Sequence, residues 1–333
     1  MSRNYKSVSH TLLLLSMVLT LLISSCSGLK ISSKTFEPDR GTCYQHSSDR
    51  RYSVDELPKP FHTLEFDSVL FNRFSFRSLN VAHAIGLIDQ LTALIRINEE
   101  RSSNPSLEKK LEMIQLLQDI NQKIHRASLE ISAVASEMDC EEERADQIAA
   151  YLKGLEDQTE TMLTVAAIAV GAVGAIASGI LLAGGSDGNL PEFIGIGAGL
   201  TEAILATRIL RQKKTIYFSH SRNALSDIWT APHTSAIFPP SVWYYLTYEN
   251  PATQENSLRQ QIVDKWLGFG QLADIRDRDR EKIYKLFFGD GGIYTAEQLA
   301  NRANMYDQIE AQVNLMKQDL KLLVSELERF LNK

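Results

Sequence analysis

The chain has 333 residues, with 35 Lys and Arg against 41 Asp and Glu and a formal net charge of −6 at pH 7. This mildly acidic balance argues against nucleic acid as a partner, because proteins that bind nucleic acid present a basic face. With 44% hydrophobic residues, the chain can bury a sizeable core in one large domain or two small ones.

The first 25 residues have the pattern of a signal peptide. Arg3 and Lys6 supply a short positive region, an apolar run covers residues 12–23, and two serines precede Cys26. A positive start, an apolar middle and a small-residue exit are the three parts of a secretory signal. The apolar run is shorter than the roughly 20 residues that span a bilayer. We therefore expect residues 1–25 to be removed on export.

The four residues Ile23-Ser24-Ser25-Cys26 resemble the lipobox of bacterial lipoproteins, although that family usually has Leu where Ile23 stands. The resemblance implies cleavage before Cys26, acylation of its thiol and a lipid-anchored place in the bacterial envelope. Ser27, where an Asp would favour inner-membrane retention in many Gram-negative species, indicates the outer membrane. The alternative is an ordinary signal peptide, or an uncleaved anchor, with a chance cysteine.

Two cysteines remain once Cys26 is lipidated. Cys43 and Cys140 form one disulfide in an oxidising compartment, or stay as two separate reduced thiols, and the sequence leaves both open. Four acidic neighbours of Cys140 disfavour a reactive thiolate. The spacing does not fit a zinc site, so no metal site is predicted.

Residues 26–75 are predicted to form a flexible tether and N-terminal segment. They are rich in Ser, Lys, Asp and Arg, contain three prolines and show no lasting helical or strand period. Such a segment lets a lipid-anchored body stand away from the headgroups. The helical domain is predicted to cover residues 76–333.

Two long apolar seams dominate that domain. The first runs from Met113 to Leu155, after a break at Pro105, and the second lies in a predicted helix over residues 296–332 with a capping box at Thr295. The favoured interpretation is that the seams pack on each other in an elongated bundle, and the alternative is a protein partner or self-association. The second seam comprises Tyr306, Ile309, Val313, Met316, Leu320, Leu323, Leu327 and Phe330.

The connector at residues 230–252 combines four prolines with an aromatic cluster, Trp243, Tyr244, Tyr245 and Tyr248. The prolines forbid one long helix. We favour a cap over the bundle end for the aromatic side chains, against an interfacial membrane belt.

The most unusual segment is an apolar helical hairpin at residues 161–210. No charged residue stands between Glu160 and Asp187, and a Gly-rich turn separates the two arms. Small residues recur every fourth position, as in close-packed glycine-zipper pairs of membrane helices. The predicted small faces are Ala167, Gly171, Ala175 and Gly179 on the first arm, and Gly195, Gly199 and Ala203 on the second.

Two interpretations of the hairpin compete. It either packs closely as a buried core, or enters a bilayer like the apolar hairpins of α-helical pore-forming toxins and colicins, which it resembles in architecture alone. Glu202 within the second arm, and Arg208 and Arg211 at its end, favour burial in protein or insertion by the first arm alone, because charge at bilayer depth is costly.

No catalytic, cofactor-binding or metal-ligating motif is found. The patterns G-x-x-x-x-G-K-[ST], H-E-x-x-H and G-x-S-x-G are absent, and Asp277 and Asp279 do not fit a calcium loop. We therefore expect a non-enzymatic, all-α, elongated helical bundle. Its expected role is structural or protein-binding, presented from a lipid anchor at Cys26, and the alternative role is membrane insertion through residues 161–210.

Overall fold

The computed structural model describes residues 43–44, 52–65, 67–103, 106–184, 190–211, 213–253, 255–268, 270–272 and 275–332. Residues 41–333 form one compact unit. The predicted signal peptide, the lipobox and Cys26 lie outside the described residues.

Within residues 41–333 the predicted all-α, elongated fold is confirmed, since the structure is 77% helical with only two strands among the described residues. Short 3-10 turns lie at Val54–Glu56 and Phe61–Thr63. The elements that follow are α1 (Ser68–Phe71), α2 (Phe76–Ala84), α3 (Ile88–Ser103), α4 (Leu107–Ala183), α5 (Leu190–Arg211), β1 (Thr215–Ser219), α6 (Ala224–Thr230), α7 (Pro240–Thr247), α8 (Leu258–Gly268), α9 (Asp277–Phe288), β2 (Gly291–Thr295) and α10 (Ala296–Leu331).

Helix α4 is the longest helix among the described residues. Its 77 residues extend about 115 Å at about 1.5 Å per residue. Ser106 caps its start, because the Ser106 side chain accepts a hydrogen bond from the Lys109 backbone N–H at 3.2 Å. The same uninterrupted helix carries the first apolar seam and then the first arm of the hairpin, so movement of the hairpin is mechanically coupled to the bundle.

Helix α10 packs antiparallel along the first part of α4. Its start at Ala296 lies beside Ala149 and Lys153, whereas Glu310 lies beside Asp139. Both predicted seams are buried at this contact, which is the favoured intramolecular packing. The buried seam residues include Met113, Ile120, Ala127, Ile131, Val134 and Met138 of α4, and Tyr306, Ile309, Val313, Met316, Leu320, Leu323, Leu327 and Phe330 of α10.

A two-stranded antiparallel sheet joins the end of the hairpin to α10. Strand β1 pairs with β2, with Thr215 opposite Thr295 and Ser219 opposite Gly291. Gly291 has φ +120°, and a Cβ there would overlap the Phe218 carbonyl oxygen. Thr295 then forms the predicted capping box with Gln298, which starts α10 directly after the strand.

Part of the predicted tether and N-terminal segment, residues 52–65 and 67–75, docks on the core. Tyr52, Phe61 and Phe74 are buried in the core. The Ser235 N–H donates to the Tyr52 hydroxyl at 3.0 Å, and the Phe61 N–H donates to the Tyr244 hydroxyl at 3.2 Å. Single aromatic anchors at irregular spacing hold this segment, and irregular spacing produces no helical period in the sequence.

The predicted helical domain begins with two helices, α2 and α3, and the sequence did not predict the break between them. Gly86 adopts φ +67°, and the Leu87 N–H donates to the Ala82 carbonyl at 2.7 Å. This left-handed glycine closes the end of α2 and turns the chain by 120° into α3. The apolar period continues through the turn because both helices bury side chains in the same core.

The aromatic connector lies inside the protein. Trp243, Tyr244 and Tyr245 of α7 are at most 8% exposed. The Tyr245 hydroxyl donates to the Asp319 carboxylate of α10 at 2.7 Å. These three rings therefore lie in the core beside α10 and are inaccessible to a membrane interface.

Candidate functional site

The disulfide between Cys43 and Cys140 fixes the N-terminal part of the compact unit to α4. The two Sγ atoms are 2.06 Å apart and the two Cα atoms 5.6 Å apart. Cys140 stands twenty residues before Glu160, where the charge-free stretch begins. The disulfide therefore attaches Cys43 to α4 at a point about 30 Å along the helix from the base of the hairpin.

The apolar hairpin is formed by the last part of α4, from Thr161 to Ala183, packed antiparallel against α5. A Cβ added at Gly174 would lie 2.6 Å from the Ala198 Cβ, and one at Gly171 would overlap the Glu202 carboxylate. Gly174 and Ala177 are the two buried residues of this part of α4. The arms therefore approach each other closely at glycine, as membrane helix pairs do.

The small-residue faces that touch differ from those predicted. Gly171 lies on the contact side and Ala167 is half-buried, but Ala175 and Gly179 are exposed. On α5, Gly195, Gly199 and Ala203 are exposed. A Cβ at Gly179, Gly195 or Gly199 would meet nothing within 4 Å.

Helix geometry explains the difference. Four residues of an α-helix turn through about 400°, so a stripe spaced strictly by four rotates about 40° at each step. The contact line instead proceeds by steps of three from Gly171 through Gly174 to Ala177. Gly174, Ala177 and Ala198 were missed because the prediction followed a spacing of four only.

The outer face of the hairpin is apolar and exposed. Only 6% of the most apolar 18-residue window of α4 is buried, although the helix is long and apolar enough to cross a membrane. The buried-core interpretation therefore holds for the inner seam alone. Exposed apolar side chains are Met162, Val165, Ile168, Ile176, Ile180, Leu182, Phe193, Ile196, Leu200 and Ile204, each 48–67% exposed.

Charge is confined to four residues in the described part of the two arms. Glu192 stands near the start of α5, Glu202 near its middle, and Arg208 and Arg211 near its end. Glu202 occupies the space left by the missing side chain of Gly171. Between Thr161 and Gly184 no charged group of α4 faces it.

The base of the hairpin is tied to the bundle by polar contacts. The Glu156 carboxylate accepts a hydrogen bond from the Lys214 backbone N–H at 2.8 Å, and Lys213 pairs with Glu297 at 3.0 Å. Lys153 pairs with Asp157 at 3.2 Å on α4. This polar collar marks where the apolar arms leave the protein body.

A second polar cluster lies beneath the sheet, inside the core. His220 Nε2 lies 2.8 Å from the Tyr294 hydroxyl, which itself donates to the Leu286 carbonyl. His220 therefore donates through Nε2. Burial, with repulsion from Arg302 and Arg144, lowers the pKa of His220 to about 2. Arg302 is fully buried and donates to the Phe287 carbonyl and to Tyr306. These pairings join His220, Tyr294, Arg302 and Tyr306 in one buried polar cluster. Within the described residues, His220 Nδ1 and Arg302 Nε have no hydrogen-bond partner.

Three carboxylates meet on the outer side of the α4–α10 contact. Oxygens of Asp139, Glu142 and Glu310 lie within 4.8 Å of one another. Desolvation, followed by repulsion from Asp307, Glu310 and other acidic neighbours, raises the pKa of Glu142. Repulsion among these carboxylates therefore lowers the stability of the folded protein at neutral pH. We assign no cation site to the cluster.

No family model, no curated protein and no solved structure matches the chain. The hairpin and its polar collar are thus the part of the molecule whose chemistry points most directly to a function.

Proposed function

We propose that the protein is held at a bilayer by its helical hairpin, which inserts into lipid while the disulfide-linked bundle remains in water. The observation that carries this proposal is the exposed apolar outer face of the two arms. Soluble proteins rarely leave contiguous apolar patches of this extent uncovered.

The dimensions of the hairpin support insertion. The 23 residues from Thr161 to Ala183 extend about 35 Å, against about 30 Å for the hydrocarbon core of a bilayer. All backbone groups within each arm are in helices, as lipid requires. The polar collar at Glu156 and Lys214 then lies at the level of the headgroups.

The energetic balance also favours insertion. Each Val, Ile, Leu or Phe side chain contributes about −0.3 to −0.6 kcal/mol near the bilayer centre, so the nine exposed on the hairpin contribute about −4 kcal/mol. One acidic side chain at the same depth costs about 3 kcal/mol. Glu202 therefore offsets most, but not all, of this apolar contribution.

Lipidation at Cys26 would place a second attachment in the same membrane. Cys43 follows Cys26 by seventeen positions, which allows a span of at most about 60 Å. This reach exceeds the distance of about 30 Å between Cys140 and the base of the hairpin. The proposed role is thus a doubly attached helical protein of the bacterial envelope, on the outer membrane if the lipobox is processed.

Flotation with liposomes tests the proposal. Residues 41–333 form one compact unit and lack Cys26 and the first apolar run, so any binding must come from that unit. We expect binding to phosphatidylcholine liposomes that falls about 100-fold in Ile176→Lys, since lysine at bilayer depth costs about 3 kcal/mol.

The matched control is Leu129→Lys, because Leu129 is 57% exposed on α4 within the bundle and Ile176 is 62% exposed within the hairpin. We expect the control to bind as the unsubstituted protein does. Absence of binding in the unsubstituted protein, or equal loss in both variants, would reject insertion through the hairpin.

A further inference from the structure

We infer that the end of α5 binds the phosphate group of an anionic phospholipid through Arg208 and Arg211. The inference rests on the proposed insertion of the hairpin. It adds a lipid class and the two residues that select it.

One exposed face of the last turns of α5 combines apolar and cationic side chains. It is formed by Ala203, Ile204, Thr207, Arg208 and Arg211. Ala203 and Ile204 form the end toward the tip of the hairpin, and the two arginines form the end toward the polar collar. The face is therefore apolar where the bilayer would be deep and cationic where phosphate groups would lie.

The two arginines are available for a ligand. Both are exposed, and neither has an ion-pair partner within the described part of the chain. Lys153 and Lys213, the basic residues that frame the collar, are instead paired with Asp157 and Glu297.

The antiparallel packing of α5 against α4 sets the depth of the two arginines in the bilayer. Glu202 lies against Gly171 and Lys214 against Glu156, so Arg208 lies about level with Thr164 and Arg211 about level with Thr161. Both guanidinium groups can extend to the headgroup layer from the edge of the hydrocarbon. The acidic residues nearest in sequence to this level are Glu160 and Asp157, and Asp157 is already paired.

Arginine suits this role because its planar guanidinium binds phosphate oxygens through two parallel hydrogen bonds. The adjoining apolar wall distinguishes a phospholipid from free phosphate, because only the lipid brings an acyl chain to cover Ala203 and Ile204. An acidic body would otherwise be repelled by an anionic bilayer, and this pair of arginines offsets that repulsion locally.

Electron spin resonance with spin-labelled lipids tests the inference. The full chain is reconstituted in phosphatidylcholine vesicles, and the immobilised fractions of labelled phosphatidylglycerol and labelled phosphatidylcholine are compared. We expect phosphatidylglycerol to associate roughly 30-fold more strongly, since each basic residue near an anionic surface contributes on the order of fivefold. The preference should disappear in Arg208→Gln/Arg211→Gln.

The matched control is Arg278→Gln/Arg280→Gln, which removes two exposed arginines from α9 and gives the same net charge. It should keep the full preference. Equal association of both lipids in the unsubstituted protein, or a preference that survives Arg208→Gln/Arg211→Gln, overturns the inference while leaving hairpin insertion intact. Displacement by excess inorganic phosphate would assign the site to a free anion and also overturn it. If neither lipid is immobilised, the proposed insertion fails together with the inference.

Discussion

At the scale of single residues, His220 shows how burial fixes a protonation state. The His220 side chain is 3% exposed and hydrogen-bonded to the Tyr294 hydroxyl. The cationic Arg302 and Arg144 lie near enough to repel a positive charge on the imidazole. The pKa of His220 in the folded protein is about 2, against 6.5 for an ordinary histidine. The folded state therefore disfavours protonation that the unfolded chain accepts.

Stability should consequently depend on pH through this residue. Its contribution is fully present above pH 6.5 and is lost progressively as the pH falls from 6.5 toward 2, because only the unfolded chain binds the proton. Between pH 6.5 and 5 the loss is about 2 kcal/mol, at about 1.4 kcal/mol per pH unit. Urea unfolding at both pH values measures it.

His220→Gln should remove that part of the pH dependence, whereas His125→Gln, at an exposed position on α4, should retain it. The slope with pH is compared, rather than stability itself, because His220→Gln also changes the bond to Tyr294. Identical slopes in the two variants would show that the folded protein and the unfolded chain protonate His220 equally readily.

At the scale of elements, two glycines of α4 test the contact between the two arms of the hairpin, because one lies at the contact and the other is exposed. A methyl group at Gly174 meets the Ala198 Cβ at 2.6 Å, whereas one at Gly179 meets nothing within 4 Å. Replacing an exposed helix glycine by alanine stabilises a helix by about 0.5–1 kcal/mol. Overpacking a close contact costs about 1–3 kcal/mol.

The same substitution should therefore have opposite effects at the two sites. We expect Gly179→Ala to slow amide hydrogen exchange in the surrounding turns of α4, and Gly174→Ala to accelerate exchange in both α4 and α5. Slower exchange in Gly174→Ala would mean that the two arms do not meet at this residue.

The elements differ in how well the sequence predicts them. The seams of α4 and α10 and the capping box at Thr295 follow from local rules, because a long apolar period and a polar cap need no tertiary information. The break at Gly86 was missed because one core buries both flanking helices. The faces of the hairpin were predicted with the wrong rotation, because spacing alone does not say which small residues a partner helix covers.

At the scale of the whole molecule, the bundle and the hairpin form one mechanical unit through α4. The disulfide at Cys140, the contact with α10 and the polar collar all act on that single helix. Neither the docking of residues from Tyr52 onward nor the continuity of α4 could be read from the sequence. Both depend on long-range contacts, such as the bond between Tyr52 and Ser235, that leave no periodic trace.

The most direct measurement places a polarity-sensitive fluorophore on cysteine at Ile196→Cys and, separately, at Ile114→Cys in residues 41–333. Both side chains are 60% exposed, one in the hairpin and one in the bundle. Cys43 and Cys140 are bonded to each other, so only the introduced thiol reacts. With liposomes added, the emission at Ile196 should shift to the blue and be quenched by nitroxides on lipid acyl chains, while the emission at Ile114 stays unchanged. If the fluorophore at Ile196 remains in water, the hairpin does not enter the bilayer.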